Sequence, residues 1–526
     1  MTGTTHIVRF SVVLSLVLVS AQALAWGPRA QRTITGMAIQ VIQQKYPDTF
    51  RPGESKYGVD VLRGTEAGAP VIAEMLPINS EAEAIQAVGI QIQLLRDLRP
   101  FGAGSYFAFR MGALSALISD VLLPYGLAWT PEEKALQQKI QKDIDEHLTE
   151  YGYTNRSVKL MPILDVTHHF HAQQAFYGDN RLLIADDYRR GVGYDGFLRE
   201  SSKSYFSKAV SSVSGAWFTI VRPQPVVTNS PITNTLMEQY FVDEIAYLLG
   251  EKSNFYQAGV AYENLASLAP TDPRIFEQVG DHYYAFGTRA SIERSVKEWR
   301  NAHSLGGPNR DRVAGKLSAH YLKEGRKFLA EAEKKGRGET ELPSALGSFQ
   351  QALRFDRTSE IAAELIQETN RLKKARDERR EMIVNIIASA ASTREEAENQ
   401  ATGGSYGNAI LSYRQALEIL AAVDDEFTDQ FNEMNQMRQS IARSIGTAIS
   451  DILEQASGAI EEGENAEELH KWEDAIKAYE RVAVIVSAIP NDSNASALED
   501  KKTAIESARA KKDGVDDARR RYERSN

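Results

Sequence analysis

Ala258-Gly-Val-Ala-Tyr262-Glu-Asn-Leu265 sets a small residue, an aromatic four places on, and an aliphatic three places beyond that. Offsets of four and three return to one face of an α-helix. The small residue then lets a neighbouring helix approach while the ring fills the groove beside it. The phrase returns as Ser295/Trp299/Ala302, Ala345/Phe349/Ala352, Ala409/Tyr413/Ala416 and Ala475/Tyr479/Val482. Any single copy is ordinary core of a helical bundle; five copies in register predict stacked helix pairs. Fifteen of the seventeen prolines lie at or before Pro308, which leaves the second half free to form long helices.

The spacing resembles the second helix of the tetratricopeptide repeat. Pro270 follows Ala258 at the distance that family uses, Val279-Gly280-x-x-Tyr283 matches its first-helix signature, and Gly463 precedes Ala475 by the twelve residues it requires. The resemblance implies an α-solenoid over residues 236–526 whose exposed groove takes a protein or peptide partner. Later copies stand 64 and 66 residues apart, with charged helical sequence such as Arg371 to Glu381 between them. Either degenerate repeats or long helices fill those gaps. Lys511 to Asn526, with Arg519-Arg520-Arg521 and no apolar face, reads as a solvated helix end or tail.

At the other end, Arg9, the apolar run Phe10 to Val19 and the small-residue junction Ala23-Leu24-Ala25 before Trp26 read as a secretory signal peptide over residues 1–25. The expectation is export to the periplasm or exterior, with Trp26 as first residue of the mature chain. Its free amine and carbonyl oxygen can chelate a metal ion, and an α-amine near pKa 8 yields its proton readily. There is no cysteine, so the fold must rest on core size or repeat stacking. No later apolar run reaches the roughly 18 residues of a membrane span. A net charge of −10 argues against broad nucleic-acid binding, though it permits a local basic patch.

Residues 223–235 contain Pro223, Pro225 and Pro231, which favour extended backbone and mark a linker between a first domain, 26–222, and the repeat region. Within that domain Ile34 to Ile42, Ala84 to Leu98 and Leu198 to Val213 carry helical periodicity. Phe109 to Tyr125 is apolar nearly all round except for Arg110 and Asp120, hence a buried helix. A buried carboxylate must be paired, protonated or metal-bound, and Arg110 or Arg29 is the expected partner of Asp120. The densest donor cluster is Asp165-Val-Thr-His168-His169-Phe-His171. A helix there puts Asp165 and His169 on one face, and a strand puts His169 and His171 together. Without a metal, it is a local histidine cluster. Asp186 to Gly196 reads as a polar loop or lid whose Tyr188, Arg190 and Tyr194 line whatever pocket survives.

Trp26-Gly27 at a mature terminus, and a buried helix with Asp120 followed four residues on by Pro124, resemble the zinc-dependent phospholipase C and single-strand-specific nuclease superfamily. That resemblance implies an all-α hydrolase domain binding three zinc ions through the terminal tryptophan, histidines and aspartates. It also places histidines where this chain has Gln31, Ala116 and Gly126. Alanine and glycine offer no side-chain donor, and an amide is a weak neutral substitute. Two expectations follow. One is a non-catalytic exported protein, without cofactor, whose repeats bind another protein. The other is a zinc-dependent phosphoric ester hydrolase with metal ligands drawn from Trp26, Asp120, Asp165, His168, His169 and His171, in which zinc would activate water.

Overall fold

Helix α5 (Ser105–Leu122) has every residue but Phe109 buried, and the first part of the molecule is built around it. The computed structural model describes residues 26–46, 55–151, 158–175, 180–222, 232–334 and 338–525. The described residues form twenty α-helices with short 3-10 turns and no strand, so the chain is all-α. The leader 1–25 and the proline-rich part of the linker, 223–231, lie outside the described residues. The chain divides into two compact units, Met1–Val313 and Ala314–Asn526.

In the first unit α1 (Gly27–Gln43), α2 (Ser55–Ala67), α3 (Ala69–Ala73), α4 (Glu81–Leu98), α7 (Val166–Ala175) and α9 (Phe197–Val221) all pack on α5. Helix α2 crosses it at backbone contact: a Cβ on Gly64 would stand 1.8 Å from Phe109 O, and one on Gly112 would stand 1.9 Å from Val61 O. Two indoles then donate to α5 carbonyls, Trp26 Nε1 to Ser119 O at 2.9 Å and Trp217 Nε1 to Met111 O at 3.1 Å. Both rings are fully buried, and burial of side chains this size is the main stabilising term. Helix α6 (Pro131–His147) starts at a reciprocal cap, Thr130 accepting from Glu133 N while the Glu133 carboxylate reaches back to Thr130 N, with proline at the first turn. Helix α8 (Asn180–Arg189) completes the set before α9.

The first unit continues past the proline-rich segment. Helix α10 (Asn234–Gly250) lays Tyr240 and Tyr247 against Tyr106, with ring centroids 5.1 and 5.4 Å apart, and Phe241 against Phe101. It is followed by α11 (Phe255–Ser267), α12 (Pro273–Phe286) and α13 (Arg289–Leu305). The phrase found in the sequence falls on α11 and α13, and of its six residues only Tyr262 is not fully buried. Tyr262 still donates to Glu298 Oε1 at 2.8 Å, and Tyr283 donates to Ala258 O at 3.1 Å, tying α11 to the pair that follows.

The second unit begins within α14 (Arg310–Ala332) and continues through α15 (Gly338–Phe355), α16 (Glu360–Thr402), α17 (Tyr406–Leu420), α18 (Thr428–Glu468), α19 (Trp472–Val486) and α20 (Ala495–Ser525). The phrase sits on α15, α17 and α19, with all nine of its residues buried. The wide sequence gaps hold single continuous helices: α16 has 43 residues and α18 has 41. Helix α18 supplies Met434 and Ile441 to one apolar cluster with α16 and α17, then Ile452 and Ala459 to a second with α19 and α20. The C-terminal segment is a helix end, exposed over most of its length. It is the end of α20, with Val515 fully buried and Tyr522 packed on His470, centroids 4.2 Å apart. One apolar residue in the right register anchors a helix that composition alone makes look free.

Candidate functional site

Trp26 immediately precedes α1, and its ring lies edge-on to Phe206 at 5.9 Å. Close to it, α1 and α5 share a run of neutral hydrogen-bonding side chains. Gln31 Nε2 donates to Ser119 Oγ at 3.3 Å, Ser119 Oγ donates to Ser115 O at 2.8 Å, and Thr35 shares a 2.7 Å hydrogen bond with Ser115 Oγ. Thr35 also meets Thr65 at 3.1 Å. Buried hydroxyls satisfying one another in this way make a polar seam that needs no ion. Gln31 Oε1 is the one atom of the seam left without a partner.

Asp120 is buried at 5 % exposure, one residue beyond the carbonyl that Trp26 holds. The expected pairing with Arg110 is not what the fold makes. Ten residues separate the two on one helix, roughly 15 Å of rise. The Arg110 guanidinium instead donates to Val71 O at 3.1 Å and Gln91 Oε1 at 2.7 Å. Arg29 is likewise engaged elsewhere, donating to Asp145 O at 3.2 Å. The positions where the superfamily resemblance places histidines are closed. Ala116 is fully buried, and at Gly126 a Cβ would stand 1.9 Å from Asp120 O and 2.9 Å from Leu123 O. The turn that ends α5 folds onto itself there, with Gln137 Nε2 donating to Gly126 O at 2.6 Å. No side chain fits at position 126 on this backbone.

Asp165 to His171 is helical from Val166 onward, which selects the first of the two geometries considered for it. Asp165 is spent as the cap of α7, its Oδ1 accepting from His168 N at 2.8 Å. His169 turns inward to Ser212 Oγ at 2.9 Å. Burial, with the charge of His168 beside it, holds the His169 imidazole below the usual histidine range. His168 and His171 are exposed. Of the candidate ligands, Trp26 Nε1 holds Ser119 O, Asp165 caps α7, His169 meets Ser212, and His168 and His171 face outward. Among the described residues no group of three or more histidine, aspartate or glutamate side chains stands where it could hold a metal ion. Zinc needs three or four such donors at about 2.0–2.2 Å, and the described residues bring no such set together.

Asp186 to Gly196 is also more ordered than a loop or lid. Its first four residues finish α8, Tyr188 donates to Asp143 Oδ2 at 2.6 Å, and Tyr194 stacks on His147 at 3.9 Å. Burial and the hydrogen bond to the Asp143 carboxylate push the Tyr188 phenol well above its ordinary range.

Two groupings have no signature in the sequence. Asp145 on α6 caps the start of α1, accepting from Ala30 N at 2.8 Å and Arg29 N at 3.1 Å. A negative charge there meets the positive end of the helix. At the α5–α10 contact, fully buried Arg110 and Tyr106 face Asp243. Burial pushes the Asp243 carboxyl up to about 6 against the opposing pull of Gln239 and Arg110, and burial alone pushes Glu244 up to about 7. Nearby, Asp60 accepts from Tyr247 at 2.7 Å and pairs with Lys252. This is a charged seam in an aromatic contact. Its partners stand more than a hundred residues apart, so no local spacing announces it.

No protein-family model, curated protein or solved structure matches this chain.

Proposed function

We propose that the chain is an exported, non-catalytic helical protein in which a hydrolase-like domain, 26–222, is kept for its shape and the repeat region, 236–526, binds another protein. The observation that carries the reading is the seam of Gln31, Thr35, Thr65, Ser115 and Ser119 beside Trp26. Neutral hydroxyls and an amide, with Gln31 Oε1 lacking a partner, are poor ligands for a zinc that would activate water toward phosphorus. The placement of the recurrent phrase on α11, α13, α15, α17 and α19 supports the second half of the proposal. Helix pairs stacked in the manner of such repeats would offer a long surface for recognition rather than chemistry.

The deciding assay is hydrolysis of bis(p-nitrophenyl) phosphate by protein purified without chelator and supplied with zinc. The reading expects the same negligible rate from the native chain and from Asp120→Asn. Zinc-dependent turnover lost in Asp120→Asn would replace it with a zinc hydrolase that uses Asp120 as a ligand. Export is checked separately, by an intact mass that begins at Trp26 in the exported fraction.

A further inference from the structure

Trp26 and Gly27, the two residues that follow the Ala25–Trp26 junction, are both buried, and Trp26 is at zero exposure. Three helices hold them. The indole donates to Ser119 O on α5 and lies edge-on to Phe206 of α9. Asp145 of α6 accepts from Arg29 N and Ala30 N in the turn that follows. It sits so close that a Cβ on Gly27 would stand 2.6 Å from its carboxyl carbon. Ala30 and Ile34, further along the inner face of α1, are fully buried as well.

The backbone here also has the wrong shape for a protease. Endoproteolysis favours exposed, mobile chain, and an extended segment is what a cleft can take up by main-chain hydrogen bonds. Trp26 stands at φ −94°, ψ 2°, and Gly27 is left-handed at φ +66°, so neither is extended. Straightening them withdraws the indole from the core, gives up its hydrogen bond to α5 and uncaps α1. Removing a tryptophan from a core corresponds to a factor of about a hundred to several thousand in the population of the open form. Cleavage through that opening slows by the same factor. The leader agrees with this: its one arginine is Arg9, so it lacks the arginine pair of twin-arginine export signals, the route taken by chains that fold first.

We propose that hydrolysis of the Ala25–Trp26 bond precedes folding of the first unit, so that the chain crosses the membrane unfolded and a folded precursor is a poor substrate for its processing protease. Water adds across the amide, leaving a carboxylate on Ala25 and an amine on Trp26, and the tryptophan then enters the core. The proposal rests on the reading of residues 1–25 as a cleaved leader.

The test uses the full 526-residue precursor, folded in detergent micelles and incubated with a bacterial leader peptidase, beside a synthetic peptide of residues 10–35. Intact mass reads the product that begins at Trp26. The peptide is cut, and so is precursor diluted from urea directly into the enzyme, whereas folded precursor is cut at least about a hundredfold more slowly. Asp145→Ala, which loosens the start of α1 and leaves the cleaved sequence untouched, speeds cutting of the folded precursor about tenfold. Folded precursor cut at the rate of the peptide overturns the proposal. Slow cutting that Asp145→Ala leaves unchanged overturns the lock on α1 as its cause. A peptide that is not cut between Ala25 and Trp26 overturns the leader reading itself, and the proposal with it.

Discussion

Gly463 and Tyr479 share a space that admits only one side chain: a Cβ on Gly463 would stand 2.5 Å from the Tyr479 ring. The same relation joins Gly280 to Trp299 and Gly325 to Phe349, each at 2.5 Å. In all three the aromatic belongs to the recurrent phrase, and the glycine lies on the helix before it. The ring therefore packs directly on neighbouring backbone, and that contact sets how near the two helices can come.

Overpacking at such a site costs roughly 1–3 kcal/mol. Gly463→Ala and Gly325→Ala should each lower the melting temperature by several degrees. Gly463→Ala combined with Tyr479→Leu should recover part of the loss, because a smaller side chain vacates the contested volume. Calorimetry of the two single variants and the pair checks this.

Gly64 and Gly112 are a harsher case, because their would-be methyl groups meet backbone at 1.8 and 1.9 Å rather than a ring that can swing. Alanine at either position should cost more than about 4 kcal/mol and leave the first unit unfolded or aggregated. No second-site change of side chain should rescue it. Soluble yield and near-ultraviolet circular dichroism report the outcome.

The α5–α10 contact makes stability depend on pH. Glu244 titrates at about 7 in the folded chain against 4.5 ordinarily, and Asp243 at about 6 against 3.8. A raised carboxyl pKa means that the folded state holds its proton more tightly than the unfolded state. The contribution is full below about pH 4 and is lost as pH rises through 6 to 7. Tyr106, Tyr240, Gln239, Glu74 and Arg110 face these groups, and only Arg110 favours ionisation by its charge. Glu244→Gln should therefore stabilise the protein at pH 8 by on the order of 1 kcal/mol and change little at pH 4, as read from melts at both values.

Asp145 holds the first turn of α1 by two backbone N–H groups, beside Trp26. Asp145→Ala should cost about 1–2 kcal/mol, the ordinary range for loss of a helix cap. Hydrogen exchange should quicken first at Arg29 and Ala30, before the body of α1 opens.

These residues also show what a one-dimensional reading can reach. Offsets of four and three on α11 through α19 are local, so the phrase was visible, and so was the burial of α5 from its run of apolar side chains. The 43-residue α16 is not decided by its sequence, because charged sequence with helical periodicity suits either a long helix or a worn repeat. The histidine cluster promised more than it holds. The helix leaves His168 and His171 exposed while His169 turns inward to Ser212, and the carboxylate at its head is consumed by capping. Gly126 visibly lacks a donor, but only the backbone shows that the position has no room for one. Asp145 and Asp243 meet partners 116 and 137 positions away, at separations where sequence spacing carries no information.

The account turns on whether the ground around Trp26 can hold zinc. A ligand bound only by the folded state at a hundredfold over its dissociation constant stabilises by about 2.7 kcal/mol, several degrees in a melt. Zinc titrated into the mature chain at pH 7, followed by differential scanning calorimetry, should move the melting temperature no more in the native protein than in Asp120→Asn. A saturable upward shift at one zinc per chain that Asp120→Asn abolishes would contradict it.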